Sequence, residues 1–365
     1  MAKEKIKVLV ADDSQVTRML LVHLLNADPH IQVLGTVNDG QAALNFLQDA
    51  SVRPDVVLMD IHMPHMDGFE ATRLIMETTP LPIVICTATS DPQELAVAFR
   101  SMEAGALACV EKPVASTDAD FERRASNLLQ TIRLMSEVKV VRRWPRARAA
   151  ANHAHLTDAR EAARVRAGSA ISVIGIGAST GGPPVLQAIL SGLPKDFPIP
   201  LLIVQHIAPG FLPGMVEWLN QTTGLRIHIA AHGATPLPGH AYIAPDDFHM
   251  GIAASGRIAL ARDAHESGLR PAVSYLFRSL AQTCGAHATG VLLTGMGKDG
   301  AAELKLMRDA GAFTIAQDRE SSVVHGMPGE AIDLGAACVV LPGDRIAGAL
   351  ATRVAQKQAT GEIPS

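Results

Sequence analysis

The chain has 365 residues, of which 48% are hydrophobic and 19% charged, with a net charge of −4. That length exceeds one ordinary core and predicts two domains, and the slightly acidic balance gives no global basic field for nucleic acid. No signal-peptide pattern and no 18-residue apolar run is found, so neither export nor membrane insertion is expected.

From 6 to 137, short apolar runs alternate with helical patterns. Strands are predicted at 6–10, 31–37, 56–59, 83–86 and 108–110, with helices such as 15–27 and 92–104 between them. Five strands alternating with helices predict an α/β domain over 1–135, built on a five-stranded parallel, doubly wound sheet. Ligands of such sheets bind beyond the carboxyl ends of the strands. Asp12 and Asp13 follow the first strand, Asp60 ends the third, Thr87 the fourth and Lys112 the fifth. Three carboxylates form a hard oxygen site suited to Mg²⁺. A hydroxyl and a lysine complete a set suited to phosphoryl transfer onto a carboxylate. A single Asp at a strand end commonly just meets solvent, but five matched strand ends argue for a site. His62 and His65 sit in a Met-Pro loop without further ligands, and zinc is not expected there.

Residues 136–168 read as a basic linker. Between 139 and 168, eight Lys/Arg stand against two Asp/Glu without an amphipathic period. A solvated linker, part helical through its Ala and Arg content, is expected.

The α/β alternation resumes over 169–358. Strands are predicted at 171–176, 201–205, 226–230, 241–244, 257–260, 288–294, 313–316 and 338–341. Helices are predicted at 183–191, 212–222, 272–284, 300–310 and 329–334, which again implies a doubly wound sheet. The four cysteines, Cys86, Cys109, Cys284 and Cys338, form no Cys-x-x-Cys pair. They are expected to be reduced and mostly buried in a cytoplasmic protein.

Residues 177–181 read Gly-Ala-Ser-Thr-Gly, the Gly-x-Ser-x-Gly pattern that lifts a serine hydroxyl onto a sharp strand-to-helix turn. Ser179 is therefore the candidate nucleophile. A serine needs a base, and His206 ends the next strand, where its side chain could meet Ser179. A base needs an orienting carboxylate. Asp299 offers one after the strand and glycine turn of 291–297, although an Asp there equally suits a helix N-cap. The order Ser, His, Asp differs from the α/β-hydrolase order. Gly175-x-Gly177 also invites a dinucleotide reading. However, Thr180 stands at the third glycine position and Gln205-His206 where an acidic ribose ligand belongs.

The motifs Asp12-Asp13, Met59-Asp60-Ile61-His62-Met63-Pro64, Thr87-Ala88 and Lys112-Pro113 resemble the response-regulator receiver family. The resemblance implies that Asp60 accepts phosphate from a CheA-type histidine kinase, with Thr87 and Lys112 as the switch pair. It places Mg²⁺ on the Asp12, Asp13 and Asp60 cluster and the His62 carbonyl. Cys109 stands where many receivers carry an aromatic switch residue.

Gly177-Ala178-Ser179-Thr180-Gly181-Gly182, Gln205-His206 and Thr294-Gly295-Met296-Gly297-Lys298-Asp299-Gly300 resemble the CheB family, the chemotaxis protein-glutamate methylesterases. The resemblance spans almost the whole chain. It implies hydrolysis of glutamate γ-methyl esters on the cytoplasmic helices of methyl-accepting chemoreceptors, and deamidation of some receptor glutamines. By position it makes Ser179 the nucleophile, His206 the base and Asp299 its orienter, with oxyanion donors at the backbone of Thr180 and Met296. No cofactor is expected in the esterase site, and a monomer is expected. The 268–275 stretch and His325 depart from the commoner family wording. A docking platform without catalysis and a DNA-binding regulator are the rival readings, and no helix-turn-helix pattern supports the second.

Overall fold

In a computed structural model, residues 5–49, 53–88, 92–113, 117–138, 140 and 172–359 are described. The linker predicted at 136–168 lies almost wholly outside them. The chain divides into two units, Met1–Ala150 and Ala151–Ser365.

Strands of the first unit are β1 (Ile6–Ala11), β2 (Ile31–Val37), β3 (Val56–Met59), β4 (Ile83–Thr87) and β5 (Ala108–Glu111). Its helices are α1 (Gln15–Ala27), α2 (Gly40–Gln48), α3 (Gly68–Thr78), α4 (Pro92–Ala104) and α5 (Asp118–Met135). The sheet is parallel in the order β2-β1-β3-β4-β5. β3 and β4 are buried along their whole length, as strands covered on both faces must be, and they are apolar up to Thr87 for that reason. Ser14, Asp39, Asp67 and Thr117 cap α1, α2, α3 and α5 through their side chains. The chain leaves β1 for β2 on one side and crosses back to β3 on the other. The switch point thus falls between Asp12 and Asp60.

The second unit holds β6 (Val173–Ala178), β7 (Leu201–Gln205), β8 (Arg226–Ile229), β9 (His240–Ile243), β12 (Ala288–Leu292), β13 (Phe313–Gln317) and β14 (Val339–Leu341) in one parallel sheet. Its order is β14-β13-β12-β6-β7-β9-β8. The run predicted at 257–260 does not join it. β10 (His249–Ile252) and β11 (Ile258–Ala261) form a separate antiparallel hairpin. Only a few residues join them, too few for the crossover a parallel pair needs.

The helices are α6 (Gly182–Gly192), α7 (Leu212–Thr222), α8 (Val273–Thr283), α9 (Ala301–Asp309), α10 (Met327–Asp333) and α11 (Gly343–Ala359). The sequence analysis did not predict α11, whose narrow apolar stripe of Ile346, Leu350 and Val354 runs through alanine- and glycine-rich text. It packs against α6.

Side chains from alternate strand positions point to opposite faces. Leu202, Val204 and Leu292 join Val273, Phe277, Leu280 and Leu304 in one buried cluster beneath α8 and α9. Gly175 and Gly177 let α8 come close: an added Cβ would stand 2.4 Å from Leu280 and 2.3 Å from Val273. The N-terminus of α8 is thereby drawn onto the ends of β6 and β12.

Among the described residues no cysteine is paired. Cys86 is buried, Cys109 and Cys284 are partly buried and Cys338 is exposed. The last corrects the expectation of burial, because β14 is an edge strand with one flank open. Among the described residues, no helix is long and apolar enough to cross a membrane.

Candidate active site and phosphoacceptor pocket

Each unit gathers its candidate residues at the switch point of its sheet. In the second unit, β6 lies between β7 and β12. The β6–β7 register pairs Ala178 with Gln205, and His206 N–H donates to the Ala178 carbonyl at 2.9 Å. Ser179 and His206 are therefore the next residues on neighbouring strand ends. On the other side, Leu293 N–H reaches the Gly177 carbonyl at 2.9 Å and Ser179 N–H the Thr294 carbonyl at 3.0 Å. The nucleophile candidate is held between both flanking strands. Its turn closes through Gly182 N–H on the Ser179 carbonyl at 2.8 Å, with Gly181 in the left-handed region at φ 76°.

His206 Nε2 stands 2.9 Å from Asp299 Oδ2, the His side chain 12% and the Asp side chain 4% exposed. The two atoms are in close contact without a well-aligned hydrogen bond between them. Asp299 does not cap its own helix: α9 begins at Ala301, with Gly300 at its N-cap and no side-chain cap hydrogen bond. Its carboxylate instead accepts from Val273 N–H at 2.6 Å and Ser274 N–H at 3.0 Å, the first turn of α8. One carboxylate thus orients the histidine and terminates a helix, where the dipole favours negative charge.

Burial pushes the Asp299 carboxyl up, but the His206 contact and charge and the Ser274 hydrogen bonds outweigh it and hold the group below its ordinary value. Its ionised form therefore stabilises the fold fully above the ordinary value near 3.9. That contribution is lost as pH falls through the lowered native value. Thermal melting between about pH 5 and about pH 2.5 is expected to fall more steeply for wild type than for Asp299→Asn. Parallel curves would contradict this.

Thr180 follows Ser179, and its carbonyl lies 3.0 Å from Thr294 Oγ1. Met296 is 41% exposed on the loop beyond β12. Its neighbour Gly295 is pressed against Ser179, since an added Cβ would stand 2.7 Å from Ser179 Cβ and 2.4 Å from Met327 Sδ. Gly295→Ala is expected to slow labelling of Ser179 by a serine-directed fluorophosphonate by about 10²-fold. Wild-type labelling would contradict the geometry.

Three residues escaped the sequence reading as contributors to this site. Buried Thr294 also accepts Val324 N–H at 3.0 Å, and Gln317 Oε1 accepts Thr294 N–H at 2.8 Å. Gln205 Nε2 donates to the Ser179 and His206 carbonyls. All three are polar residues at the ends of buried strands, which is the signal that could have found them. His325 forms a parallel bridge with Gly295.

In the first unit, carboxylate oxygens of Asp12, Asp13 and Asp60 lie within 4.8 Å of one another. Lys112 Nζ is 2.7 Å from both Asp12 Oδ2 and Asp60 Oδ2. Lys112 N–H donates to the Thr87 carbonyl at 2.8 Å, which sets these two residues side by side at the ends of β4 and β5. Burial raises the Asp60 carboxyl, reinforced by the Asp12 charge and opposed by Lys112. Burial lowers the Lys112 ammonium, but its hydrogen bonds and charge contacts with Asp12 and Asp60 leave it raised. Two buried carboxylates share a single lysine, and the exposed Asp13 stands beside them. Such a hard oxygen set, with excess negative charge, fits a divalent cation.

Comparison with known proteins agrees with this division. Residues 8–120 match the response regulator receiver domain and residues 174–350 match CheB methylesterase. A protein from Nitrosospira multiformis called protein-glutamate methylesterase/protein-glutamine glutaminase is 51% identical over 97% of this chain and 99% of its own. The chain belongs to the CheB methylesterase family. A relative from Geobacter metallireducens with the same activity name is 52% identical over 96% of this chain and 100% of its own. The CheB methylesterase catalytic domain of Thermotoga maritima is 38% identical, covering 50% of this chain and 97% of that one, with a TM-score of 0.48.

Proposed function

We propose that this family member is a phosphorylation-activated protein-glutamate methylesterase acting on chemoreceptors in the cytoplasm, with a glutamine deamidase activity at the same serine. The observation that carries the reading is the convergence of Ser179, His206 and Asp299 at one switch point. Relatives that span nearly the whole chain carry that activity name.

Ser179 Oγ attacks the ester carbonyl and His206 takes its proton. With Asp299 against Nε2, Nδ1 is the nitrogen left for that proton. Backbone N–H groups at Thr180 and Met296 receive the oxyanion, and loss of one such donor typically costs about 10²–10³ in rate. The C–O bond to methoxide breaks, His206 returns the proton, and methanol leaves. Water then hydrolyses the acyl-enzyme to glutamate and free Ser179 by the same base. For a glutamine, the leaving group is ammonia.

In the receiver, Asp60 takes the phosphoryl group from a CheA-type histidine kinase. Asp12, Asp13 and Asp60 would hold Mg²⁺, whose bound charge neutralises phosphoryl oxygens, and Lys112 and Thr87 would receive the others. Phosphorylation shifts an equilibrium between a less and a more active form. A swing from mostly one to mostly the other takes about 5 kcal/mol of differential stability. The test is methanol release from receptor membranes carrying labelled methyl esters, with and without a small phosphodonor and Mg²⁺. Release that rises with phosphodonor supports the reading. No release from wild type in any condition would favour a docking role.

A further inference from the structure

We propose that Gln205 is a positioning residue that locks the nucleophile and the base to each other. The substrate assay below rests on the methylesterase reading; the geometry does not. Along β7, Leu202 and Val204 face the α8–α9 cluster, so Leu201, Ile203 and Gln205 face the α6 side. Gln205 is 3% exposed. Its Nε2 donates to the Ser179 carbonyl at 2.9 Å and to the His206 carbonyl at 2.8 Å. These carbonyls lie just past the last ladder rung, His206 N–H to the Ala178 carbonyl. Beyond that rung both segments leave the sheet, one into the serine turn and the other into the loop before α7. A carboxamide carries two N–H groups on one nitrogen, so a single side chain closes both carbonyls and extends the ladder by one link.

The fit is tight. An added Cβ at Gly182 would stand 2.2 Å from Gln205 Oε1, and that oxygen is buried without a hydrogen-bond partner. A buried acceptor without a partner is unfavourable. The amide is held there by what its nitrogen does. Glycine at 182 therefore serves two ends, opening α6 and making room for the Gln205 amide.

Removing both donors lets the serine turn and the histidine move independently, and a displacement of about 1 Å at reacting atoms can cost up to about 10²-fold in rate. Gln205→Met keeps length and burial but has no N–H. It is expected to lower kcat at least about tenfold with KM within about twofold, since substrate contacts are untouched. Gln205→Glu supplies the readout that a merely structural role would not move. Ionised, it sets a charge against two carbonyl oxygens; protonated, it can donate to one. Its rate relative to wild type is expected to rise as pH falls, while the Gln205→Met ratio stays flat. His206 is the titratable neighbour, and it is present in both variants, so Gln205→Met is the control that lacks the new carboxylate.

The experiment uses the full chain with phosphodonor and Mg²⁺. It follows methanol release from labelled receptor membranes and, in parallel, the rate of Ser179 labelling by a fluorophosphonate. A kcat and labelling loss in Gln205→Met, with recovery of Gln205→Glu at low pH, supports the role. Wild-type kcat in Gln205→Met, or a pH-independent Gln205→Glu ratio, overturns it. If Gln205→Met does not fold, the Gln205→Glu series alone decides. If wild type is labelled but releases no methanol, the methylesterase reading fails and the labelling rates still judge Gln205.

Discussion

Ser179→Ala is expected to lower methanol release about 10⁴-fold or more, with the folded state intact. The hydroxyl is the only covalent participant in the proposed reaction, and what survives its loss is catalysis by the oxyanion donors and binding alone. Ser179 is partly exposed, and it is held through its backbone by Thr294, Gly182 and Gln205, not through its Oγ. Removing the hydroxyl therefore leaves the turn in place. Asp299→Ala makes the informative contrast. It removes the partner of His206 and also the acceptor for the Val273 and Ser274 N–H groups at the start of α8. Activity falls and stability falls with it, by about 0.5–2 kcal/mol for the lost cap. Thermal melting beside the methanol assay separates the two: Ser179→Ala should melt with wild type and Asp299→Ala below it. More than a tenth of wild-type release from Ser179→Ala would sink the serine mechanism.

Asp60→Asn is expected to abolish phosphoryl incorporation from a small phosphodonor and all stimulation of the esterase by it. The Asp60 carboxylate has one oxygen on Ile61 N–H at 2.8 Å and the other 2.7 Å from Lys112 Nζ. An amide at this position is not a phosphoryl acceptor. Lys112→Ala is a poorer probe. It strips the shared cation from Asp12 and Asp60, and an uncompensated buried charge typically costs about 3–5 kcal/mol. Incorporation of labelled phosphate into Asp60→Asn, or an undiminished response of its esterase to phosphodonor, would place the acceptor elsewhere.

Both sites were legible because their residues sit where local text ends a strand. The runs ending at Asp12, Asp60, Thr87, Lys112, Ser179 and His206 are short, apolar and followed by turn chemistry, and consecutive parallel strands place two such ends together. The adjacency of β6 and β7, and with it the Ser179–His206 pairing, follows from that rule. Asp299 is a different case. Its motif marked a strand, a glycine turn and a helix start, but the same text suits a cap of α9. That β12 crosses back to lie against the other edge of β6 is a property of the whole sheet.

The hairpin β10–β11, the exposure of Cys338 and the helix α11 were missed for a related reason. Period and propensity report what a segment can form, while its neighbours decide which face and edge it meets. The sequence by itself determined the two α/β units, the carboxylate cluster, the serine turn and the histidine one strand away, because periodicity, turn residues and strand-end placement are local. Only the tertiary structure decided that Asp299 terminates α8 while it holds His206. It also decided that Gly295 presses on Ser179 and that Gln205 bridges two carbonyls 27 positions apart in the chain, Ser179 and His206. These depend on which strand ends the fold brings within hydrogen-bond reach, and contacts between residues far apart in the chain are set by packing of the entire core.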